Sequence, residues 1–397
     1  MNQQNLSSQF VAKTLFGLEG ILAEELKNLR ATKIVVLHRA VGFSGDKKLM
    51  YEANLKLRTA LRILKRVFSF SATNSQELYT KVQEVYWDRF FSAEDTIAVD
   101  SSVSSEHFPH SQFVSQRVKD AIVDQFREKT GKRPSVDLEN PKFRINIYIN
   151  KDSCTLSLDS SGASLHKRGY RLQMSEAPLS EVLAAGLILL SGWDGKSTLI
   201  DPMCGSGTIL IEAALFASKI PPGIFRENFG FMNWKDFDPL VWEEILKTSR
   251  ESISLFPGKI IGSDISANAI EAAKKNIINA EFDVNLKDGN YITLMKSAFD
   301  LLEKTEDAGL IIMNPPYGER IKQDDIISFY KMIGNTLKQK YEGYDAWVLS
   351  ANLEALKFVG LHPSKKISLM NGQLECKFQK YGIYPGTKKT STVSLIE

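Results

Sequence analysis

The chain has 397 residues, 43% of them hydrophobic and 24% charged, with a formal net charge of +3. That length exceeds what one core usually supports and predicts two or three domains, while no apolar run approaches the roughly 20 residues needed to cross a bilayer. The small basic excess permits a polyanionic partner without demanding one, and Cys154, Cys204 and Cys376 stand too far apart for a disulfide framework or a structural zinc.

In chain order, Met1 to Phe10 lacks the basic and apolar regions of a secretory signal, so a cytoplasmic location is expected. Short strands and helices then alternate: Phe10 to Thr14, a helical Gly20 to Leu29 with Ile21, Leu22, Leu26 and Leu29 at helical spacing, Lys33 to Leu37, Arg39 to Ser44, Leu49 to Leu61 and Leu64 to Phe70. This β-α-β-β-α-β order predicts a small ferredoxin-like domain over 1–70. A second compact α/β unit is expected over 71–159. Its elements are a helix at Ser75 to Val85, a strand at Thr96 to Ser101, a long amphipathic helix at Ser111 to Thr130, and strands at Arg144 to Asn150 and Ser153 to Asp159. His107 and His110 have no Cys or carboxylate partner in sequence, and no metal is expected.

From about residue 160 to 385 the longer rhythm of βαβ units predicts a parallel sheet, followed by a tail at 386–397. Pro221-Pro222-Gly223 and the aromatic-rich Phe225 to Trp242 read as an insertion after a helix. Near the end, Lys366 to Met370 and Leu374 to Phe378 flank Asn371-Gly372, a dipeptide suited to the positive φ angles of a hairpin turn, so the sheet should close with an antiparallel pair.

Chemistry concentrates in this last part. Thr198-Leu199-Ile200-Asp201-Pro202-Met203-Cys204-Gly205-Ser206-Gly207-Thr208 runs from a strand through a glycine turn into a helix, which lets backbone approach a ligand closely. Leu210 replaces the third glycine of the dinucleotide fingerprint and no phosphate loop follows, which favours a ligand without phosphates. Asp264 ends the next strand and could hold a ribose diol; Asp288, in a later loop, could accept from an adenine amine or be an exposed turn residue.

In Asn314-Pro315-Pro316-Tyr317-Gly318 after an apolar strand, the Asn314 oxygen and Pro315 carbonyl could each accept one N–H of an exocyclic base amine. That localises the nitrogen lone pair for attack. Pro316 helps to stiffen the turn, and Tyr317 offers a face for the base. Cys204 could be a nucleophile for ring-carbon methylation, but inside the glycine turn it reads better as a packing residue. Lys167, Arg168, Tyr170 and Arg171 join bases and an aromatic in one short run, which suits either RNA contacts or a solvated surface.

These residues resemble the THUMP-domain class I S-adenosylmethionine-dependent RNA methyltransferases, in particular the bacterial 23S ribosomal RNA guanine-N2 family. The resemblance covers nearly the whole chain. It rests on Asp201 to Thr208 (Pro202, Cys204, Gly205 and Gly207 included), on Asn314-Pro315-Pro316-Tyr317-Gly318-Glu319-Arg320, and on Lys167 to Arg171 before Ala177-Pro178-Leu179. It implies an α/β chain whose seven-stranded methyltransferase sheet follows a ferredoxin-like unit and an RNA-binding THUMP domain, which a family profile could start near 44. It further implies S-adenosylmethionine as cofactor, S-adenosylhomocysteine as its product, no metal, Arg320 among the RNA contacts, 23S ribosomal RNA as partner and no obligate protein partner. Transfer-RNA guanine, adenine N6, and a non-catalytic RNA-binding protein with a dead methyltransferase fold remain alternatives.

Overall fold

The computed structural model describes residues 8–172, 179–256, 258–284, 291–318 and 323–384. The chain divides into two compact units that are not contiguous in sequence: residues up to Arg171 with Ser180–Gly186 and Ser218–Ser254, and the remainder.

The first unit opens with β1 (Ser8–Lys13), α1 (Glu19–Asn28), β2 (Thr32–Leu37), β3 (Ala40–Gly45), α2 (Lys47–Lys56) and β4 (Arg62–Ser71), the ferredoxin-like order read from the sequence. Helix α2 starts two residues earlier than its periodicity suggests, because Asp46 caps it by accepting from the Leu49 N–H at 2.8 Å. It stops before Leu61 because the half-buried Glu25 carboxylate accepts the backbone N–H groups of Arg58 and Thr59 at 2.7 and 3.0 Å, drawing them out of helical register. Then follow α3 (Ser75–Gln83), β5 (Thr96–Ser104), α4 (Ser111–Thr130), β6 (Ser135–Val136), β7 (Phe143–Asn150) and β8 (Ser153–Asp159). Gly131, at φ +72°, closes α4 in the left-handed conformation usual after a helix.

These strands do not form two separate sheets, as their separate patterns suggest. They make one eight-stranded sheet in the order β2-β3-β1-β4-β8-β7-β5-β6. The reason is the length of β4, whose ten residues pair with β1 through Arg62 to Lys65 and with β8 from Leu64 to Ser71.

The segment after α6 (Thr208–Ala217) behaves unlike a surface insertion. Residues 218–254, including α7 (Pro239–Glu251), lie between two elements of the methyltransferase sheet in sequence yet build the core of the first unit. The Phe231 ring stacks on Tyr51 at 4.4 Å, Trp242 meets Phe229 and Phe231 edge-on at 5.4 and 5.3 Å, and the Asp238 N–H donates to the Tyr51 hydroxyl at 3.0 Å. The Arg226 guanidinium donates to the carbonyls of Ser161, Ala163, Ser164 and Lys167. A fragment beginning near residue 160 would therefore expose this aromatic cluster. Trp242→Ala should destabilise the first unit by about 3–5 kcal/mol, as for other buried aromatic truncations. Denaturant midpoints would check this; a loss under about 1 kcal/mol would contradict the placement of Trp242 in that core.

The second unit contains the later part of α5 (Glu181–Ser191), then β9 (Leu199–Asp201), α6, β10 (Ile260–Asp264), α8 (Ala267–Asn279), β11 (Asp283–Val284), β12 (Tyr291–Lys296), β13 (Leu310–Met313), α9 (Gln323–Lys340), β14 (Asp345–Ser350), α10 (Leu353–Leu356), β15 (Lys365–Asn371) and β16 (Leu374–Gly382). The sheet order is β11-β12-β10-β9-β13-β14-β16-β15, the seven expected strands with the two-residue β11 added at one edge. Strands β9, β10, β12, β13 and β14 run parallel, and β16 returns antiparallel to β14. Because β10 and β13 flank β9, the carboxyl ends of all three emerge side by side, where open α/β sheets bind ligands.

The closing hairpin forms as expected, with its turn one residue later. Asn371 pairs with Leu374 as the last rung, and the two-residue loop is Gly372-Gln373 with Gly372 at φ +61°, matching a turn that needs glycine at its first central position. No described helix is long and apolar enough to cross a membrane.

Candidate active site

The first half of the site is the turn after β9. Asp201 is 1% exposed, and its carboxylate accepts the Met203 N–H at 3.2 Å, folding the chain back on itself. The Cys204 N–H donates to the Ser263 carbonyl at 2.9 Å and the Ser263 hydroxyl to the Pro202 carbonyl at 3.3 Å, so the turn is stitched to the end of β10. Thr208 is buried at the start of α6. At the next strand end, Asp264 accepts the Gly205 N–H on one oxygen at 3.0 Å and the Ser266 N–H on the other at 2.9 Å. Two backbone donors therefore orient this carboxylate, and each oxygen keeps a lone pair for a further donor.

These features fit an adenosine-bearing ligand. A Cβ placed on Gly205 would meet no atom within 4 Å, so the turn has open space beside a preset carboxylate. At Gly207 the reason for glycine differs from the one its place in the turn suggests. Its φ is +82°, and a Cβ there would sit 3.2 Å from the Ala273 Cβ and 3.4 Å from the Ala273 Cα on α8, so the residue is small to let the helix approach rather than to clear ligand space. Asn276, buried on the same helix, donates to the Ser206 carbonyl at 3.1 Å and accepts the Leu172 N–H at 2.9 Å. The sequence signal for Asn276 is one amide on the otherwise apolar face of Ala272, Ala273 and Ile277.

Burial governs the titration of this turn. The Asp201 carboxyl is pushed up to about 8, first by desolvation and then by the Asp264 charge, with the Met203 N–H opposing. The Cys204 thiol is driven well above its ordinary range by burial and by both carboxylates, so it stays protonated and packs, and the nucleophile alternative has no support. An unfolded chain releases the Asp201 proton near 4 while the folded chain keeps it to about 8, so this group's contribution to stability falls as pH rises through that window. Asp201→Asn should flatten that decline while keeping the acceptor for Met203. Thermal midpoints from pH 5 to 9 with an unchanged slope would contradict it.

The second half follows β13. Asn314 is half-buried, Pro315 buried, and Pro316 exposed. The Tyr317 hydroxyl donates to Asn314 Oδ1 at 2.6 Å, and the Asn352 amide donates to the Tyr317 carbonyl at 3.0 Å. Among the described residues no donor is bonded to the Pro315 carbonyl. The Tyr330 hydroxyl supports the next carbonyl, that of Pro316, at 3.5 Å, and pairs with the Ser350 hydroxyl at 2.6 Å.

The basic run before the domain is corrected by burial. Arg168 and Tyr170 are 2% and 1% exposed, and the Arg168 guanidinium donates to the carbonyls of Leu165 and Arg58; Arg171 pairs with Glu181 at 3.1 Å. Inside the first unit Arg168 holds backbone, Arg171 is engaged by a carboxylate, and Tyr170 is buried, so the run is not the exposed basic surface that RNA contacts would need. Lys167 is the exposed member. Asp288, Glu319 and Arg320 lie outside the described residues, as do Ala177, Pro178 and the tail. Among the described residues no group of three metal-ligating side chains occurs.

Residues 168–380 match the RMKL-like methyltransferase domain, residues 72–159 the THUMP domain, and residues 9–64 the ferredoxin-like domain of RlmL. The chain belongs to the RMKL-like methyltransferase family. It is 39% identical over 377 residues to a Synechocystis sp. protein whose name provisionally makes it an RNA methyltransferase, covering 94% of this chain and 97% of that one. It is 38% identical over 388 residues to the ribosomal RNA large subunit methyltransferase K/L of Syntrophotalea carbinolica, covering 94% of this chain but spanning only about half, 53%, of that protein. A methyltransferase-like protein, SMU.472, solved with S-adenosylhomocysteine, superposes with a TM-score of 0.84 at 28% identity over 96% of this chain and 99% of that one. This RMKL-like chain is thus an S-adenosylmethionine-dependent RNA methyltransferase carrying a THUMP domain.

Proposed function

We propose that this chain methylates the exocyclic N2 amine of guanine in large-subunit (23S) ribosomal RNA. The observation that carries the amine is the pair of acceptor groups at the end of β13, Asn314 Oδ1 and the Pro315 carbonyl, on the edge shared with the glycine turn and Asp264. Two neighbouring acceptors suit a group with two N–H bonds and would be misplaced for a ring carbon or a ribose hydroxyl. The ribosomal large subunit is supported by the name of the K/L relative, and guanine by the family resemblance that the run Gly318-Glu319-Arg320 carries. Adenine N6 remains the second reading, because Asn-Pro-Pro-Tyr alone does not separate the two amines.

The chain's own residues would act by position and charge. Asp264 would accept from the ribose hydroxyls, and the open space beside Gly205 would admit the rest of the cofactor. When bound, S-adenosylmethionine supplies an electrophilic methyl group on a sulfonium centre. Asn314 and Pro315 would each take one N–H of the target amine, pulling its lone pair out of the ring. The face of Tyr317 would receive the base once it has left its stack, so incompletely folded RNA should be the better substrate. Lys167 and Arg320 are the proposed phosphate contacts.

Asp264→Ala should weaken S-adenosylmethionine binding by about 1.5–3 kcal/mol in calorimetry, the value of charge-assisted hydrogen bonds. Unchanged affinity would rule out this cofactor placement, and no binding to the unmutated protein would favour a non-catalytic RNA binder. The substrate is tested by nucleoside mass spectrometry of RNA from cells lacking this protein. Loss of N2-methylguanine from ribosomal RNA is expected; loss of N6-methyladenine, or of N2-methylguanine from transfer RNA alone, would overturn the proposal.

A further inference from the structure

The Asn-Gly pair at the closing hairpin is left over from the turn it was expected to make. Asn371 is extended on the last rung of β15, and its amide reaches across to the motif after β13. There the Asn371 Nδ2 donates to the Tyr317 hydroxyl at 3.2 Å, and the Cys376 thiol approaches the same oxygen at 3.9 Å. The Tyr317 hydroxyl in turn donates to Asn314 Oδ1 at 2.6 Å.

We propose that Asn371 is a positioning residue for methyl transfer: by donating to the Tyr317 hydroxyl it commits the phenol proton to Asn314 Oδ1 and so fixes which end of the Asn314 amide faces the target amine. The polarity of the contacts carries this. A phenol has one proton and can accept on its oxygen. Two of its neighbours, an amide nitrogen and a thiol, approach as donors, and among the described residues the acceptor it meets is Asn314 Oδ1. An asparagine side chain left alone can turn over and present NH₂ in place of oxygen, which would repel an amine N–H. With Tyr317 donating, only one orientation satisfies the bond, and Oδ1 retains a lone pair for the base. Burial, with Cys376 second, drives the phenol far above its ordinary range, so it remains a neutral donor at any working pH. The backbone of Tyr317 is held independently by the Asn352 amide at 3.0 Å, so the hydroxyl is aimed from both ends of the residue. The cross-strand hairpin thereby reports to the acceptor without touching substrate.

This inference rests on the proposed role of Asn314 as amine acceptor, and its test separates the two. Asn371→Asp nearly preserves shape but reverses polarity, because a carboxylate accepts the Tyr317 proton and takes it from Asn314. In the full chain it should lower kcat about tenfold, with the KM for RNA and the calorimetric affinity for S-adenosylmethionine held within about twofold. Tyr317→Phe keeps the ring face and should have a similar effect. In the Tyr317→Phe background, Asn371→Asp should cost less than about twofold more, since both changes break one chain of bonds. If Asn371→Asp loses its thermal transition, Asn371→Ser, which removes the amide donor, replaces it in the same cycle. Equal losses in both backgrounds would mean that Asn371 acts through the fold, and wild-type kcat in the single variants would mean that the chain of bonds is idle; either overturns the proposal. Asn314→Ala is measured beside them: a variant that still turns over at the wild-type rate removes the acceptor reading itself, whereas its collapse beside unaffected Asn371→Asp and Tyr317→Phe removes only the relay.

Discussion

Replacing Asn314 by alanine should lower turnover by about 10²-fold or more while leaving S-adenosylmethionine affinity unchanged. The side chain follows β13 and is bonded to Tyr317, whereas the glycine turn is bonded to Asp264, so the cofactor half of the site keeps its own bonds. What is lost is an acceptor used most strongly as the amine nitrogen gives up its lone pair, and removal of one such transition-state hydrogen bond typically costs two to three orders of magnitude in rate. Single-turnover kinetics with parallel calorimetry would check both halves. A fall in cofactor affinity with an unchanged chemical step would place Asn314 in the wrong half of the site.

Gly207→Val should abolish cofactor binding by a different route. Valine at φ +82° is strongly disfavoured, and its Cβ would lie 3.2 Å from the Ala273 Cβ, with the α8 backbone at 3.4 Å behind it. Helix α8 cannot retreat freely, because Asn276 ties it to the Ser206 carbonyl inside the same turn. The turn must move instead, and the Gly205 N–H to Asp264 bond goes with it. Calorimetry should give no measurable heat of binding for a protein that still shows a cooperative thermal transition. Gly207→Ala, with one carbon in place of three, should bind but weakly. Wild-type affinity in the valine variant would contradict the tight approach of α8 to this turn.

Much of this architecture is legible in the sequence because local signals agree with one another. The ferredoxin-like order follows from alternating apolar patterns, and α4 ends at Thr130 because Gly131 supplies the left-handed closing residue. The site could be approached because strand ends are marked chemically: a glycine turn after β9, an acid ending β10, and Asn-Pro-Pro-Tyr after β13. What could not be read depends on distant partners. Phe229, Phe231 and Trp242 announce an apolar cluster but carry no address, and their partner Tyr51 lies far upstream on α2. Arg168 looks like a surface base until the Leu165 and Arg58 carbonyls that bury it are known. Asn371 reads as a turn former because Asn-Gly usually is one; only the register of β15 with β16 turns its amide toward Tyr317.

The most direct test is transfer of a deuterated methyl group from labelled S-adenosylmethionine by the purified protein, offered separately large-subunit ribosomal RNA, transfer RNA and an adenine-rich control, with the digested nucleosides resolved by mass spectrometry. Label in N2-methylguanosine from the ribosomal RNA, reduced about 10²-fold or more by Asn314→Ala, is the predicted result. Label in N6-methyladenosine, or in transfer-RNA guanosine alone, would contradict it.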